Sequence, residues 1–62
     1  MESRLKELRL KQNYTKRDVA KKIGISDRGY SNYEEGKRIT PVDLALKLAE
    51  LYDTTVEDIF KI

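Results

Sequence analysis

The segment at residues 26–38, SDRGYSNYEEGKR, carries polar side chains whose types and spacing suit the recognition of a hydrogen-bonding surface. In a helix that turns about 100° per residue, five of them fall within one arc of about 140°: Asp27, Arg28, Ser31, Asn32 and Glu35. Arg28 and Asn32 are four residues apart, so they point to the same side about one turn apart. Arginine can donate two hydrogen bonds to O6 and N7 of guanine, and asparagine can pair with N6 and N7 of adenine.

The opposite side of this helix carries Tyr30, Tyr33 and Glu34, so it is largely aromatic and suits packing against a core. Gly29 lies beside the polar arc and costs a helix roughly 1 kcal/mol relative to alanine. Two explanations for this glycine are comparable: a close approach by a phosphate backbone, or close packing against another helix.

Helix start and stop signals define the elements that must position these side chains. Thr-x-x-Asp boxes, in which the threonine caps a free N–H and the aspartate favours the helix N-terminus, occur three times: Thr15–Asp18, Thr40–Asp43 and Thr55–Asp58. Ser26 provides a further cap, and Pro41 suits a first helical position. Gly24 and Gly36 lie where helices should end.

These signals predict an all-α fold of five short helices in one domain spanning residues 1–62, with no convincing strand. The predicted helices cover residues of about 2–12, 16–23, 27–35, 41–52 and 56–61, with boundaries uncertain by two to four residues. Helical spacing predicts a core formed by Leu5, Leu8, Val19, Ala20, Ile23, Ile25, Ala45, Leu48, Ala49, Tyr52, Ile59 and Phe60.

The second and third predicted helices are joined by only Gly24, Ile25 and Ser26, and the glycine permits a sharp change of direction. Two short helices joined in this way form a helix-turn-helix. Spacing alone also permits an ordinary helical hairpin, and it favours the DNA-binding form only slightly.

Composition narrows the function classes. The 62 residues include no cysteine and no histidine, which removes disulfides, thiol chemistry and the common zinc sites. No metal, cofactor or small-molecule site is evident, and catalysis would need a carboxylate pair or a lysine in a pocket, for which a chain of this size has little room. An enzyme is therefore the weakest interpretation. No apolar run reaches membrane-spanning length, and the charged N-terminus does not suit a signal peptide.

Charge is distributed unevenly along the chain. Residues 1–38 hold 11 basic and 6 acidic residues, a net +5, whereas residues 39–62 hold 2 basic and 5 acidic residues, a net −3. A basic half suits a polyanionic partner. An unevenly charged but merely solvated surface explains the charges alone equally well.

The ordered set of motifs from Leu5 to Phe60 resembles the phage-repressor and Cro-like helix-turn-helix domains. The matching residues are Leu5, Leu8, Arg9, TKRDVA at 15–20, IGIS at 23–26, YSNYEEGK at 30–37, Pro41, LA at 48–49 and DIF at 58–60. The resemblance implies a compact five-helix domain, of the lambda-repressor-like kind, whose third helix enters the major groove of double-stranded DNA.

The resemblance also implies residue roles. Carried over by position, Thr15 and Lys16 contact phosphates, Ser31 and Lys37 reach the backbone, and Arg38 follows nearby. The base edges are faced by Asp27, Arg28 and Asn32. The family pairs an arginine of the first helix with a glutamate at the end of the third, which here are Arg9 and Glu34, and this pair is interpreted as structural.

The chain departs from the family pattern at three places. Lys16 replaces the usual glutamine, so it meets a phosphate as a point charge without the two-way hydrogen bonding of an amide. Asp27 places a carboxylate close to DNA. It could accept from cytosine N4, but service to the helix N-terminus is favoured. Tyr30 and Tyr33 replace commoner aliphatic residues, which predicts an unusual core beneath the third helix.

The expected assembly is a dimer, because one module of this kind covers only about 600–1,000 Å² of DNA. A homodimer on a palindromic operator would present two recognition helices about 34–36 Å apart, and with no added domain the contact surface would lie within the fold. The predicted surface joins the fourth and fifth helices through Leu44, Leu51, Val56 and Ile62. The alternative is that these residues pack beneath helices one and five.

Two functional hypotheses remain at this point. The first is a sequence-specific regulator of transcription, a small prokaryotic or phage repressor acting in the cytoplasm. The second is a helical protein-interaction module of the same fold, of an antitoxin-like or coactivator-like kind. The basic half and the face that carries Arg28 and Asn32 favour the first.

Overall fold

A computed structural model describes residues 3–60, and this part of the chain contains five helices and no strand. They are α1 (Leu5–Lys11), α2 (Lys16–Ile23), α3 (Asp27–Glu34), α4 (Val42–Leu51) and α5 (Val56–Phe60). The all-α prediction is confirmed. The range of α2 is the predicted one, whereas α1 begins three residues later than predicted. None of these helices has the length and apolar character that crossing a bilayer requires.

Side-chain caps explain where the central helices begin. The Thr15 hydroxyl accepts from the Asp18 N–H at 3.1 Å, and the Asp18 carboxylate accepts from the Thr15 N–H at 2.9 Å, which completes the predicted reciprocal box. The Ser26 hydroxyl accepts from the Gly29 N–H at 3.1 Å and starts α3. The Thr55 hydroxyl likewise accepts from the Asp58 N–H at 3.1 Å and starts α5.

The prediction that Thr40 caps the fourth helix is wrong. Pro41 takes the N-cap position with φ −62° and ψ 153°, and its side chain makes no capping hydrogen bond. The extended ψ angle of Pro41 delays the helix to Val42, which leaves Thr40 one position too early to cap it. The Pro41 carbonyl accepts the first helical bond, from the Ala45 N–H at 2.9 Å.

The core confirms the predicted inward positions. Eleven of the twelve are buried, and Ile25 is half-buried and packs against the others. Tyr30 joins them with no exposed surface, so the inner side of α3 contributes an aromatic ring to the centre of the fold.

Leu44 also belongs to the core, because only 8% of its surface is exposed. Its predicted position on a stripe outside the core is therefore wrong. Leu44 and Leu48 are four residues apart and lie on one face of α4, and the neighbouring helices cover that face. Leu51 and Val56 are half-buried against the core, and Ile62 lies outside the described residues. The exposed apolar side chains in this region are instead Ile39, Val42 and Leu46, at 84%, 76% and 58%.

The turn between α2 and α3 is built on a left-handed glycine. Gly24 has φ 79° and ψ 34°, a conformation that side-chain-bearing residues rarely adopt. The following N–H, of Ile25, donates to the Ala20 carbonyl at 2.9 Å and closes the end of α2. The turn therefore holds α3 in a fixed direction relative to α2, which the predicted helix-turn-helix requires.

Candidate nucleic-acid interface

The outward face of α3 presents the two side chains with the strongest potential for base recognition. Arg28, in the first turn, is exposed, and Asn32, one turn later, is half-buried. Within residues 3–60, neither the Arg28 guanidinium nor the Asn32 side-chain amide has a hydrogen-bond partner. Both groups therefore keep their donors for an external ligand, and Asn32 keeps its acceptor as well.

Asp27 lies beside these residues at the first position of α3. Its carboxylate is 4.0 Å from Nε of Arg17, with both side chains largely exposed. A carboxylate at a helix N-terminus interacts favourably with the helix dipole. The position of Asp27 thus agrees with the favoured structural interpretation.

Three residues that were predicted to contact DNA phosphates form one cluster around Glu35. Its carboxylate accepts from the Ser31 hydroxyl at 2.5 Å and from Nζ of Lys16 at 3.4 Å, and Nζ of Lys37 lies 3.4 Å from its other oxygen. Nζ of Lys16 also donates to the Ser31 hydroxyl at 3.1 Å. The structure therefore joins α2, α3 and the segment after α3 through Glu35.

This environment strongly favours the charged form of Glu35. The hydrogen bond from Ser31 is the main cause, followed by the charge of Lys37 and the hydrogen bond from Lys16, and together they lower the pKa of the carboxyl to about 2. The group is ionised at any pH near neutrality, so the cluster around Lys16 and Lys37 includes a permanent negative charge.

The other predicted backbone contacts are more dispersed. The Thr15 hydroxyl is occupied as an acceptor in the cap of α2 but still has its own proton to donate. Arg38 differs from Lys37, because it lines a small hollow with Ser3 and Phe60. The structure therefore brings Lys16, Ser31 and Lys37 together and places Arg38 on a separate part of the surface.

The predicted pair of Arg9 and Glu34 fixes the inner side of α3. The arginine donates from Nε to Oε2 at 2.9 Å and from Nη2 to Oε1 at 3.0 Å, and its third nitrogen donates to the Tyr14 carbonyl at 2.9 Å. The two side chains are only 9% and 3% exposed. This interaction holds α1, the connection after it, and the end of α3 in one arrangement.

Two buried tyrosines complete this anchor. The hydroxyl oxygens of Tyr30 and Tyr52 lie 3.5 Å apart, at the limit of a hydrogen bond. Burial is the main cause that raises the pKa of both phenols. They are neutral at physiological pH and act as packed aromatic groups, which agrees with the unusual core predicted from Tyr30.

Gly29 lies against the turn that precedes α3. A Cβ atom at this position would lie 3.1 Å from the Ser26 hydroxyl oxygen and 3.8 Å from Cδ1 of Ile25. The first contact would crowd the hydroxyl that caps the helix. Among residues 3–60, no atom of another helix lies within 4 Å of that Cβ position, so close packing against another helix does not explain this glycine.

The central position of Glu35 is a feature that sequence reasoning missed. Ser31 and Glu35 are four residues apart on one helical face, which was a usable signal for their mutual contact. Lys16 and Lys37 approach them from other elements, and periodicity within one helix carries no information on that approach. Among residues 3–60, no group of His, Cys, Asp or Glu side chains has an arrangement that could hold a metal ion.

Known proteins resemble this chain in sequence over most of its length. A family model described as helix-turn-helix matches residues 5–59. An uncharacterised HTH-type transcriptional regulator of Methanocaldococcus jannaschii is 38% identical over 60 residues, which cover 97% of this chain and 91% of that protein. The HTH-type transcriptional regulator ImmR of Bacillus subtilis is 41% identical over 54 residues, which cover 87% of this chain and 42% of ImmR.

The relatives differ in length. A putative HTH-type transcriptional regulatory protein of Pyrococcus furiosus is 36% identical over 61 residues, covering 94% of this chain but only 19% of that protein. The chain thus spans less than half of ImmR and of the Pyrococcus protein, whereas it spans most of the Methanocaldococcus protein.

Proposed function

Because this chain belongs to the helix-turn-helix family of DNA-binding transcriptional regulators, we propose that it recognises a specific operator by placing α3 in the major groove of double-stranded DNA. The observation that carries this proposal is the division of α3 into two faces. Arg28 and Asn32 are unpaired within residues 3–60 and face outward, while Tyr30 and Glu34 are fixed in the interior. A helix whose inner side is packed in the core, and whose outer side carries hydrogen-bonding groups without partners, suits the recognition of base edges.

Within this proposal, α2 positions α3 on the duplex. Lys16 and Thr15 lie at the start of α2, and Ser31 and Lys37 lie close to Lys16 through Glu35. Contacts from such residues to phosphates fix the register of the protein without reading sequence. Arg28 and Asn32, with Asp27 beside them, then supply base preference, and Arg38 supplies charge from its separate position.

We further propose a homodimer on a palindromic operator. Ile39, Val42 and Leu46 form an exposed apolar stripe, in which the last two are four residues apart on α4. Leu51 and Val56, both half-buried, adjoin the core of the same region. A second copy that covers this stripe would present a second recognition helix and extend the contact with DNA beyond a single module.

The mode of action that we propose is repression in the cytoplasm of a prokaryotic cell. A small domain that occupies an operator overlapping a promoter excludes polymerase without any further activity. The relatives named as transcriptional regulators come from a bacterium and from archaea, whose chromosomes lie in the cytoplasm.

Selection of bound duplexes from a randomised pool tests the proposal. We expect enrichment of one site with two related halves, spaced by about 34–36 Å of duplex. The affinity for that site should fall steeply as salt increases. Absence of enrichment, together with absence of duplex binding at about 50 mM salt, would reject DNA recognition and favour the protein-interaction module.

A further inference from the structure

The Glu35 carboxylate is contacted by three residues to which the proposed function assigns DNA phosphates. Lys16, Ser31 and Lys37, the residues assigned to the phosphate backbone, all direct donors or charge to it, at 3.4, 2.5 and 3.4 Å. A carboxylate resembles a phosphate in its negative charge and in its acceptor oxygens, and lysine and serine groups bind either one. The Ser31 hydroxyl has a single proton, so it cannot donate to Glu35 and to a phosphate at the same time. A phosphate that approaches Lys16 and Lys37 also meets the negative charge of Glu35 beside them.

We propose that Glu35 acts as an intramolecular substitute for a DNA phosphate, and that DNA must displace it from Lys16, Ser31 and Lys37. The inference rests on the proposed function and concerns what controls its affinity. Glu35 reads no sequence in this role. It lowers the affinity for every duplex by a similar factor, and so limits retention of the protein on unrelated DNA.

The exposure of the cluster makes such displacement feasible. The side chains of Lys16, Glu35 and Lys37 are 40%, 43% and 67% exposed. Ion pairs this open to water are weak and are screened by salt. A phosphate can therefore replace the carboxylate at small cost, and the effect of Glu35 on affinity should be a few-fold and not several orders of magnitude.

Net charge determines how the effect should depend on salt. Two lysines with one glutamate carry a local charge of +1, whereas the same lysines without the glutamate carry +2. Each additional phosphate that a protein neutralises steepens the dependence of log affinity on log salt by about 0.9. Removal of the Glu35 charge should therefore both tighten binding and make it more sensitive to salt.

The test compares Glu35→Gln with the wild-type protein by fluorescence anisotropy, on the selected duplex and on an unrelated duplex, over a salt series. We expect binding to tighten by about two- to five-fold on both duplexes at about 0.1 M salt, and the salt slope to steepen by about one. Glu57→Gln is the matched control, since it changes net charge equally at an exposed position of α5. It should have a smaller effect on both quantities.

A second set of variants, in which both lysines are replaced, distinguishes displacement of Glu35 by DNA from general charge repulsion between the protein and DNA. In Lys16→Gln/Lys37→Gln, the effect of Glu35→Gln should fall to that of Glu57→Gln, because the lysines that Glu35 occupies are gone. An undiminished effect would overturn the inference. If the wild-type protein binds DNA and Glu35→Gln binds it with the same affinity, that result would also overturn the inference. Failure of the wild-type protein and both single variants to bind any duplex at low salt would instead reject the proposed function itself.

Discussion

The guanidinium of Arg9 and the carboxylate of Glu34 form a buried two-point ion pair, with nitrogen–oxygen distances of 2.9 and 3.0 Å. The hydrogen bonding of Arg9 to the Glu34 carboxylate is the main cause that raises the pKa of Arg9. This pair joins α1 to the end of α3, and the direction of α3 decides which of its side chains face outward. The pair is thus structural, and its loss should be measured as stability before it is measured as binding.

Glu34→Ala should destabilise the fold by about 3–5 kcal/mol, because it leaves the Arg9 charge buried without its partner. For a domain of this size, that loss lowers the thermal unfolding midpoint by at least about 12 °C. Glu57→Ala, at an exposed position, is the control and should change little. Arg9→Met combined with Glu34→Leu should recover much of the loss, since no charge is then buried. A midpoint unchanged in Glu34→Ala would contradict the structural role.

Arg28→Ala and Asn32→Ala should each weaken binding to the selected operator by about 1–3 kcal/mol and relax preference at one base pair. Both side chains lie on the outward face of α3 without partners among residues 3–60. Competition with operators altered at single positions measures the effect. Wild-type affinity and preference in both variants would mean that α3 does not read the bases.

Lys16→Gln, Lys37→Gln and Arg38→Gln should each weaken binding to all sequences alike and reduce the salt slope by up to about one, as expected when a single phosphate contact is lost. Titrations of specific and unrelated duplexes at several salt concentrations measure both quantities. A loss confined to one sequence would show that the residue reads bases instead.

Ser31→Ala should raise the pKa of Glu35 from about 2 towards 4.5, because the Ser31 hydroxyl is the main group that stabilises the carboxylate. A folded-state pKa below the unfolded value means that this carboxylate stabilises the fold above about pH 4.5. The contribution is lost as the pH falls towards 2. Carbon NMR of the side-chain carboxyl groups follows the titration. Asp18 is an internal control, since Thr15 lowers its pKa independently. If the pKa of Glu35 does not change in Ser31→Ala, that result would contradict the contact between Ser31 and Glu35.

Leu46→Glu should abolish pairing of two copies on a palindromic duplex, because it places a charge within the exposed stripe of Ile39, Val42 and Leu46. Sedimentation over a concentration series, with and without the duplex, measures the stoichiometry. Leu10→Glu is the control, as Leu10 is 53% exposed on α1. Binding of one wild-type protein per duplex, with no loss of affinity when the half-sites are moved apart by half a turn, would exclude the dimer.

The local features of this fold were predictable from sequence because they depend on neighbours along the chain. The caps at Thr15 and Ser26 fixed the starts of α2 and α3, and Gly24 fixed the turn between them. The partnership of Arg9 with Glu34 is different, since 25 residues separate them and only the family resemblance predicted it.

The features that sequence reasoning missed depend on how the helices pack. Periodicity places Leu44 on a particular face of α4, but only the neighbouring helices decide whether that face is covered. The same holds for Glu35, since its contact with Lys16 depends on the angle between α2 and α3, and its contact with Lys37 depends on the path of the chain after α3. Thr40 failed as a cap for a local reason, because the extended Pro41 moved the helix start by one residue.

The two faces of α3 have separate consequences for how such a protein can diverge. Arg28 is exposed, and its side chain has no hydrogen bond or ion pair with the described part of the chain. Substitutions at such positions usually change stability by no more than about 0.5 kcal/mol. Tyr30, two residues later, has no exposed surface and accepts few replacements. A duplicated gene could therefore acquire a new operator through one or two substitutions on the outer face, while the interior that orients the helix is inherited unchanged.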